Sequence, residues 1–261
     1  IWKPATTAIL SNYYLMQIFK EAGLPDGVIN FLPGSGSVIS KVAFASPHLA
    51  GIHFTGSTST FKAFWKEIGR NIDSYRTYPK IVGETGGKDF IFAHKSADPR
   101  ELAVAIVRGA FEFQGQKCSA ASRAYIPKSL WDETLNHVKD MMKTVKVGDV
   151  FDFTNFVNAV IDEKSFDNIA GYIDRAKKSR KAKIVLGGKY DKSVGYYIHP
   201  TIIVTTDPHY EAIQEEMFGP VITVYVYDDE KYTETLHLCD ETSPYALTGS
   251  IFAKCRYAIL E

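Results

Sequence analysis

The segment F-Q-G-Q-K-C-S-A-A-S at 113–122, with G-E-T-G-G-K at 83–88 upstream of it, decides how this chain is read. Residues 89–92 read as a strand, and Ser96 or Asp98 can open a helix that carries Leu102, Ile106 and Ala110 along one side. That helix delivers the chain to Cys118, a thiol among small residues, where a nucleophile can be exposed without steric obstruction. The thiolate is the reactive form of cysteine, and a cation or a helix terminus lowers the thiol pKa. Lys117 is such a cation. An isolated cysteine is more often a small buried hydrophobe; the surrounding glycines and the carboxylate of Glu84 move this one toward chemistry.

Outward from that centre, strands alternate with helices. A helix capped by Thr6 or Thr7 runs to Ala22 with Leu10, Tyr14, Leu15, Ile18 and Phe19 on one side, and Gly23 and Pro25 stop it. Residues 28–32 read as a buried strand, 33–37 as a tight Gly-rich loop, 38–45 as a helix, 50–54 as a strand closed by Thr55-Gly56-Ser57, 59–72 as a helix and 80–85 as a strand. Downstream, Trp131, Leu135, Val138, Met142 and Val145 mark an amphipathic helix, and 163–179 and 231–239 two more. Strands are expected at 183–186, 196–198, 201–204, 221–227 and 247–252. This order predicts an α/β fold with a parallel sheet and right-handed crossovers. The glycine pair Gly86-Gly87 is the best boundary, dividing a first domain at 1–86 from a second at 87–261.

Composition narrows the function. Thirty Lys and Arg balance thirty Asp and Glu, so there is no electrostatic footprint for nucleic acid or an anionic membrane. Three scattered cysteines form neither a disulfide framework nor a C-x-x-C pair, and no two of the seven histidines stand three or four apart, so no metal is expected. No apolar run approaches the ~18 residues that span a bilayer. The chain starts at Ile1 as if at the end of a strand and stops inside an apparently ordered segment, which reads as truncation at both ends.

A cysteine nucleophile with a separate carboxylate is a kit for acyl chemistry through a thioester. The oxyanion needs donors such as the backbone N–H of Cys118, and a carboxylate in an apolar, Gly-rich setting, Glu84, can act as base toward water; a structural role capping backbone N–H groups is the other reading of Glu84. Gly34-Ser35-Gly36 and Thr55-Gly56-Ser57 follow strands and can bring backbone N–H groups to a phosphate, though neither is a full dinucleotide fingerprint.

Together the motifs resemble the aldehyde dehydrogenase superfamily. They are A-G-L-P-D-G-V-I-N-F-L-P-G at 22–34, F-T-G-S at 54–57, E-T-G-G-K at 84–88, G-Q-K-C at 115–118 and E-E-M-F-G-P-V at 215–221. Within it the chain is most similar to the Δ1-pyrroline-5-carboxylate dehydrogenases, which oxidise glutamate γ-semialdehyde in proline catabolism. Phe61 after F-T-G-S-T-S-T, G-Q-K-C-S-A at the nucleophile, V-I-D-E-K-S-F at 160–166 and Y-V-Y-D-D-E-K-Y at 225–232 carry that likeness. The resemblance implies a partial Rossmann-type dinucleotide-binding domain followed by an α/β catalytic domain. It implies Cys118 as nucleophile, Glu84 as the base that deacylates the thioester, and Ser119 beside the nucleophile as a substrate contact. It gives Glu216 and Phe218 the nicotinamide ribose and ring, Lys3 the adenosine ribose, Gly56 and Ser57 the pyrophosphate, and Thr55 a place near the nicotinamide.

Where most NAD-preferring members have Glu, this chain has Thr6, so NAD is the implied cofactor with NADP left open. The family's oxyanion Asn, its C-terminal substrate region and most of its oligomerisation hairpin lie outside these residues. The implied substrate is a small aldehyde carrying a carboxylate, which Lys117 either pairs with or turns away from into solvent. A homo-oligomer is implied for the full-length protein, in the mitochondrial matrix if eukaryotic and otherwise in the cytoplasm. Two rival readings remain open: an inactive fragment of such an enzyme, and a cofactor-free cysteine hydrolase or acyltransferase.

Overall fold

The computed structural model describes residues 1–245 and 247–261 and shows an α/β chain in two compact units, Ile1–Thr85 and Gly86–Glu261.

In the first unit a 3-10 turn, Thr6–Ala8, leads into α1 (Ile9–Glu21), which starts without a side-chain cap. Then come α2 (Gly36–Ala45), β1 (Gly51–Thr55), α3 (Thr58–Arg70) and β2 (Lys80–Glu84). Strands β1 and β2 pair in parallel, with Thr55 opposite Glu84. The expected strand at 28–32 is reduced to one bridge between Trp2 and Phe31, held by Trp2 N–H to the Asn30 carbonyl at 2.8 Å and Leu32 N–H to the Trp2 carbonyl at 2.9 Å. Pro4 has no N–H to carry the ladder further, which is why it stops there. Phe61 explains its own presence. Its ring lies parallel to that of Phe54, with centroids 6.0 Å apart, and covers Gly83, where an added Cβ would sit 2.2 Å from it.

The second unit is built on a six-stranded sheet. Its elements are β3 (Asp89–Ala93), α4 (Pro99–Phe111), β4 (Ala121–Pro127), α5 (Lys128–Met142), α6 (Glu163–Lys178), β5 (Ala182–Leu186), β6 (Tyr190–Asp191), β7 (Tyr197–Ile198), β8 (Thr201–Thr205), α7 (Glu211–Gln214), β9 (Val221–Tyr227), α8 (Tyr232–Glu241), β10 (Gly249–Phe252) and α9 (Arg256–Leu260). The sheet order is β10-β3-β4-β9-β8-β5. All pairs are parallel except β5 with β8, so the expected all-parallel sheet becomes mixed at that edge. A short connection through the β6–β7 hairpin returns the chain to β8, and only an antiparallel partner can be reached without a crossover helix.

Alternation of side chains across the strands sets up two cores. Phe92, Tyr125, Ile203 and Val221 face α6, with its Phe166, Ile169 and Ile173, while Ile91, Ala124, Ile202 and Ile222 face α4, with its Leu102, Ile106 and Phe111. Both covering helices start at an Asp: Asp98 Oδ1 accepts from Arg100 N–H at 2.9 Å ahead of Pro99, and Asp162 Oδ1 from Ser165 N–H at 2.8 Å. The ladder between β3 and β4 skips a residue between Asp89 and Phe90, so that Asp89 faces Ala121 but Phe90 faces Arg123. Ser122 falls in that bulge, beside the nucleophile loop.

Candidate active site

In the first unit the expected cofactor residues sit at strand ends and helix starts. Ser57 caps α3: its Oγ accepts from Thr60 N–H at 3.3 Å and lies 2.8 Å from the Thr60 hydroxyl. Thr58 Oγ1, in the first turn, is buried without a hydrogen-bond partner. Gly56 donates its N–H to the Glu84 carbonyl at 3.1 Å, and a Cβ there would meet the Phe54 ring at 2.5 Å, so glycine leaves room for that ring. Thr55 ends β1. The Lys3 ammonium reaches the Pro4 carbonyl, and its stem passes Gly36 at the start of α2. Glu84 ends β2 and is exposed within its own unit, outside any apolar pocket there.

In the second unit, α4 stops at Phe111, well before Cys118, so the thiol is not at a helix end as the sequence reading expects. Phe113, Gln114 and Gly115 instead take left-handed backbone, with φ of 52°, 58° and 64°. Four non-glycine residues have left-handed backbone among the described residues, Lys88, Phe113, Gln114 and Phe218, and all four belong to this unit. Such conformations cost about 1–3 kcal/mol each and persist where surrounding contacts over-determine them. Those contacts are present. Gln114 donates to the Ala159 carbonyl at 3.3 Å, Gln116 Oε1 accepts from Ile161 N–H at 2.9 Å, and Gly115 lies so close to Gly219 that a Cβ would meet its carbonyl at 2.3 Å.

Cys118 follows this turn, half-buried, and its carbonyl lies against Gly87, where a Cβ would come within 1.9 Å. Gly87 N–H donates to Glu216 Oε1 at 3.0 Å, and Gly86 faces the other carboxylate oxygen. One glycine thus touches both the nucleophile loop and the 215–220 loop. Phe218, in left-handed backbone, keeps 41% of its surface exposed. Ser119 is exposed. Lys117 is exposed too and pairs with Glu112 at 3.4 Å, a carboxylate that also takes Arg108 at 3.0 Å.

The residue that sequence reading missed is Lys88. It is 1% exposed, and its ammonium donates to the Ala212 carbonyl at 2.8 Å. Burial, helped by the nearby Arg123 guanidinium, pushes it down to about 7 against the opposing pull of Glu216 and Glu215. Burial also raises the Asp89 carboxyl, whose Oδ1 accepts from Thr248 N–H at 2.6 Å while Oδ2 has no partner. The Thr248 bond ties the start of β10 to β3. Of the other cysteines, Cys239 is buried, which pushes its thiol up to about 11 and away from reactivity. Among the described residues no group of three or more His, Cys, Asp or Glu is placed to hold a metal ion, and no helix is long and apolar enough to cross a membrane.

A nucleophile loop locked onto an acidic and aromatic loop, in a unit preceded by βα turns with a capped helix start, defines a class. The chain belongs to the aldehyde dehydrogenase family, whose model matches residues 1–260. Among individual relatives it is 55% identical over 261 residues to the mitochondrial Δ1-pyrroline-5-carboxylate dehydrogenase of Dictyostelium discoideum, covering 99% of this chain and 47% of that protein. It is 45% identical over 262 residues to the human mitochondrial protein of the same name, covering 100% and 46%. The fold matches the crystal structure of the Mycobacterium tuberculosis Δ-pyrroline-5-carboxylate dehydrogenase bound with NAD at a TM-score of 0.92 and 46% identity, covering 99% of this chain and 47% of that one. The Thermus enzyme with bound NAD matches at 0.91 and 33%, covering 99% and 49%. The chain therefore spans about half the length of the relatives it matches and has the aldehyde dehydrogenase fold.

Proposed function

We propose that the protein to which these residues belong oxidises glutamate γ-semialdehyde to glutamate with NAD. The observation that carries this is the interlock in the second unit, in which Gly115 packs on Gly219 and Gly87 joins Cys118 to Glu216. It joins the loop of the nucleophile to the loop of Glu216 and Phe218, the residues this reading gives to the nicotinamide end. The relatives' names and their bound NAD support the choice of substrate and cofactor. NADP remains the alternative cofactor at Thr6.

The residues fit the cofactor. Ser57 and the unpartnered Thr58 hydroxyl open α3 as a pyrophosphate would need, Gly56 adds no side chain there, Lys3, whose stem passes Gly36, would serve the adenosine ribose, and Thr55 ends the adjoining strand. Glu216 would take the nicotinamide ribose, with Phe218 against the ring. Bound NAD supplies the acceptor for the hydride that the substrate carbon releases.

Cys118 thiolate adds to the aldehyde carbon, forming a C–S bond while the carbonyl electron pair moves to oxygen, which the Cys118 backbone N–H helps to hold. Loss of hydride from that carbon leaves a thioester on Cys118. Glu84 then takes a proton from water as it adds to the thioester, and the C–S bond breaks to release the carboxylate and restore the thiolate. In this reading Ser119 and Lys117 are the substrate contacts, and Lys117 would exchange Glu112 for the substrate carboxylate. Residues 1–86 form part of the dinucleotide-binding domain and 87–261 most of the catalytic one, and the full-length protein is a homo-oligomer of the mitochondrial matrix in a eukaryotic cell.

The test is appearance of reduced nicotinamide in the full-length protein given glutamate γ-semialdehyde and NAD. Cys118→Ser should lower turnover by about 10³-fold or more. Ester hydrolysis with no nicotinamide reduction would favour a cysteine hydrolase instead. The 261 residues alone are expected to give no turnover, because the first unit leaves Leu10, Val38, Val42 and Trp65 exposed.

A further inference from the structure

The Gly86–Asp89 strip touches both loops of the site, and Lys88 is its buried centre. Its ammonium donates to the carbonyl of Ala212, which also accepts from the Thr223 hydroxyl at 3.0 Å. Ala212 lies in α7, the short helix that leads directly into Glu215 and Glu216. On the other side the Lys88 carbonyl accepts from Arg123 Nε at 2.8 Å, which ties the same residue to β4 behind the nucleophile loop. Lys88 also lines a small cavity with Gly115, Ser122, Glu216, Phe218 and Gly219, into which the unpartnered Ser122 hydroxyl is buried. No ion pair within 4.0 Å involves Lys88 among the described residues. A buried ammonium without a contact carboxylate is costly, and a neutral or apolar side chain would fill the same space at less cost. Packing alone therefore does not account for a lysine here, and the charge itself is the feature to explain.

We propose that Lys88 is a positioning residue, whose buried ammonium grips the Ala212 carbonyl ahead of Glu216 and so holds the Glu216 carboxylate and the Phe218 ring where they receive the nicotinamide end of the cofactor. This rests on the reading above that Glu216 and Phe218 bind that end. Lys88 acts on cofactor engagement and leaves the nucleophile's own reactivity alone. The charged groups that face it are Arg123 from β4, Glu215 and Glu216 from the loop after α7, Asp89 beside it and Lys117 across the cavity. With its ammonium displaced to about 7, Lys88 loses its charge within the neutral range, and the hold on the loop weakens as pH rises.

The experiment uses the full-length protein. NAD affinity is followed by quenching of tryptophan fluorescence at about pH 6 and about pH 8.5, and Cys118 reactivity by its rate of alkylation with iodoacetamide, in wild type and in Lys88→Met. Wild-type affinity should fall about tenfold across that range, and Lys88→Met should bind NAD about tenfold more weakly at the lower pH, with no remaining pH dependence, while alkylation changes less than about twofold. A slope that survives in Lys88→Met would belong to another group and overturn the proposal. Equal losses of NAD affinity and alkylation would make Lys88 merely structural and overturn it as well. If the variant does not fold, a flat wild-type profile is enough to reject the idea. Wild type that binds no NAD at either pH removes the functional reading itself, and this inference with it.

Discussion

Helices α2 and α4 both carry apolar stripes, yet α2 buries only Phe44 and leaves Val38 and Val42 facing outward, whereas α4 buries Leu102, Ala103, Ile106, Val107, Ala110 and Phe111. The two units differ throughout in this way. Two paired strands in the first support one packed face, on which Phe44, Phe54, Phe61 and Phe64 meet edge to face or stacked. Six strands in the second are covered on both faces. A buried large apolar side chain contributes about 1.5–3 kcal/mol, so the four large side chains that α4 buries and the one that α2 buries differ by several kcal/mol of local stability. An apolar period in the sequence thus marks a surface that can be buried, and the layer facing it decides whether it is.

Hydrogen exchange on the 261-residue chain tests that contrast most severely. Amides of β3, β4 and β9 should be protected at least about 10²-fold more than those of β1 and β2; equal protection would mean that the first unit is as firmly held as the second. Gly87→Ala comes next. With a Cβ 1.9 Å from the Cys118 carbonyl the backbone must shift, and turnover of the full-length protein should fall about 10²-fold through misplacement of the nucleophile. Normal turnover would show that the contact does not hold the site.

A smaller effect should come from pH. Because burial lowers the folded-state pKa of Lys88 to about 7, the unfolded chain holds more protons than the folded one from there up to the ordinary lysine value, so stability rises with pH over that window. Urea midpoints at about pH 7 and about pH 9 should show a gain of about 1–3 kcal/mol that is absent in Lys88→Met. The smallest change belongs to the first unit. Gly69 in α3 has open space around it, so Gly69→Ala should stabilise that unit by about 0.5–1 kcal/mol, read from its local unfolding. A loss there would point to a partner for that face of α3.

Much of the fold was legible because it is local. Periodicity located α2 through α6, and the caps Asp98 and Asp162 are visible as Asp residues ahead of helical stripes. The misreadings have non-local causes. Residues 28–32 have strand composition, but the segment that bridges to them at Trp2 runs into Pro4, and the β5 edge turns antiparallel because a hairpin precedes β8. The candidate site divides in the same way. Cys118, Glu84, Glu216 and Phe218 stand out as motif residues, and the glycines beside them mark close approaches. Adjacency in sequence puts Lys117 beside the thiol; the structure pairs it with Glu112 on the surface.

What the sequence determined by itself is the inventory: an alternation of strands and helices, a thiol in a small-residue turn, a carboxylate ahead of two glycines, and capped helix starts. Only the tertiary structure decided that Phe113, Gln114, Lys88 and Phe218 bend into left-handed backbone, that Gly87 sits between Cys118 and Glu216, and that Lys88 is buried. The physical reason is range. A period or a cap is settled within one helical turn, whereas the Gly87 to Glu216 bond spans 129 residues and the Lys88 to Ala212 bond 124, and no local pattern encodes which distant carbonyl a lysine will find.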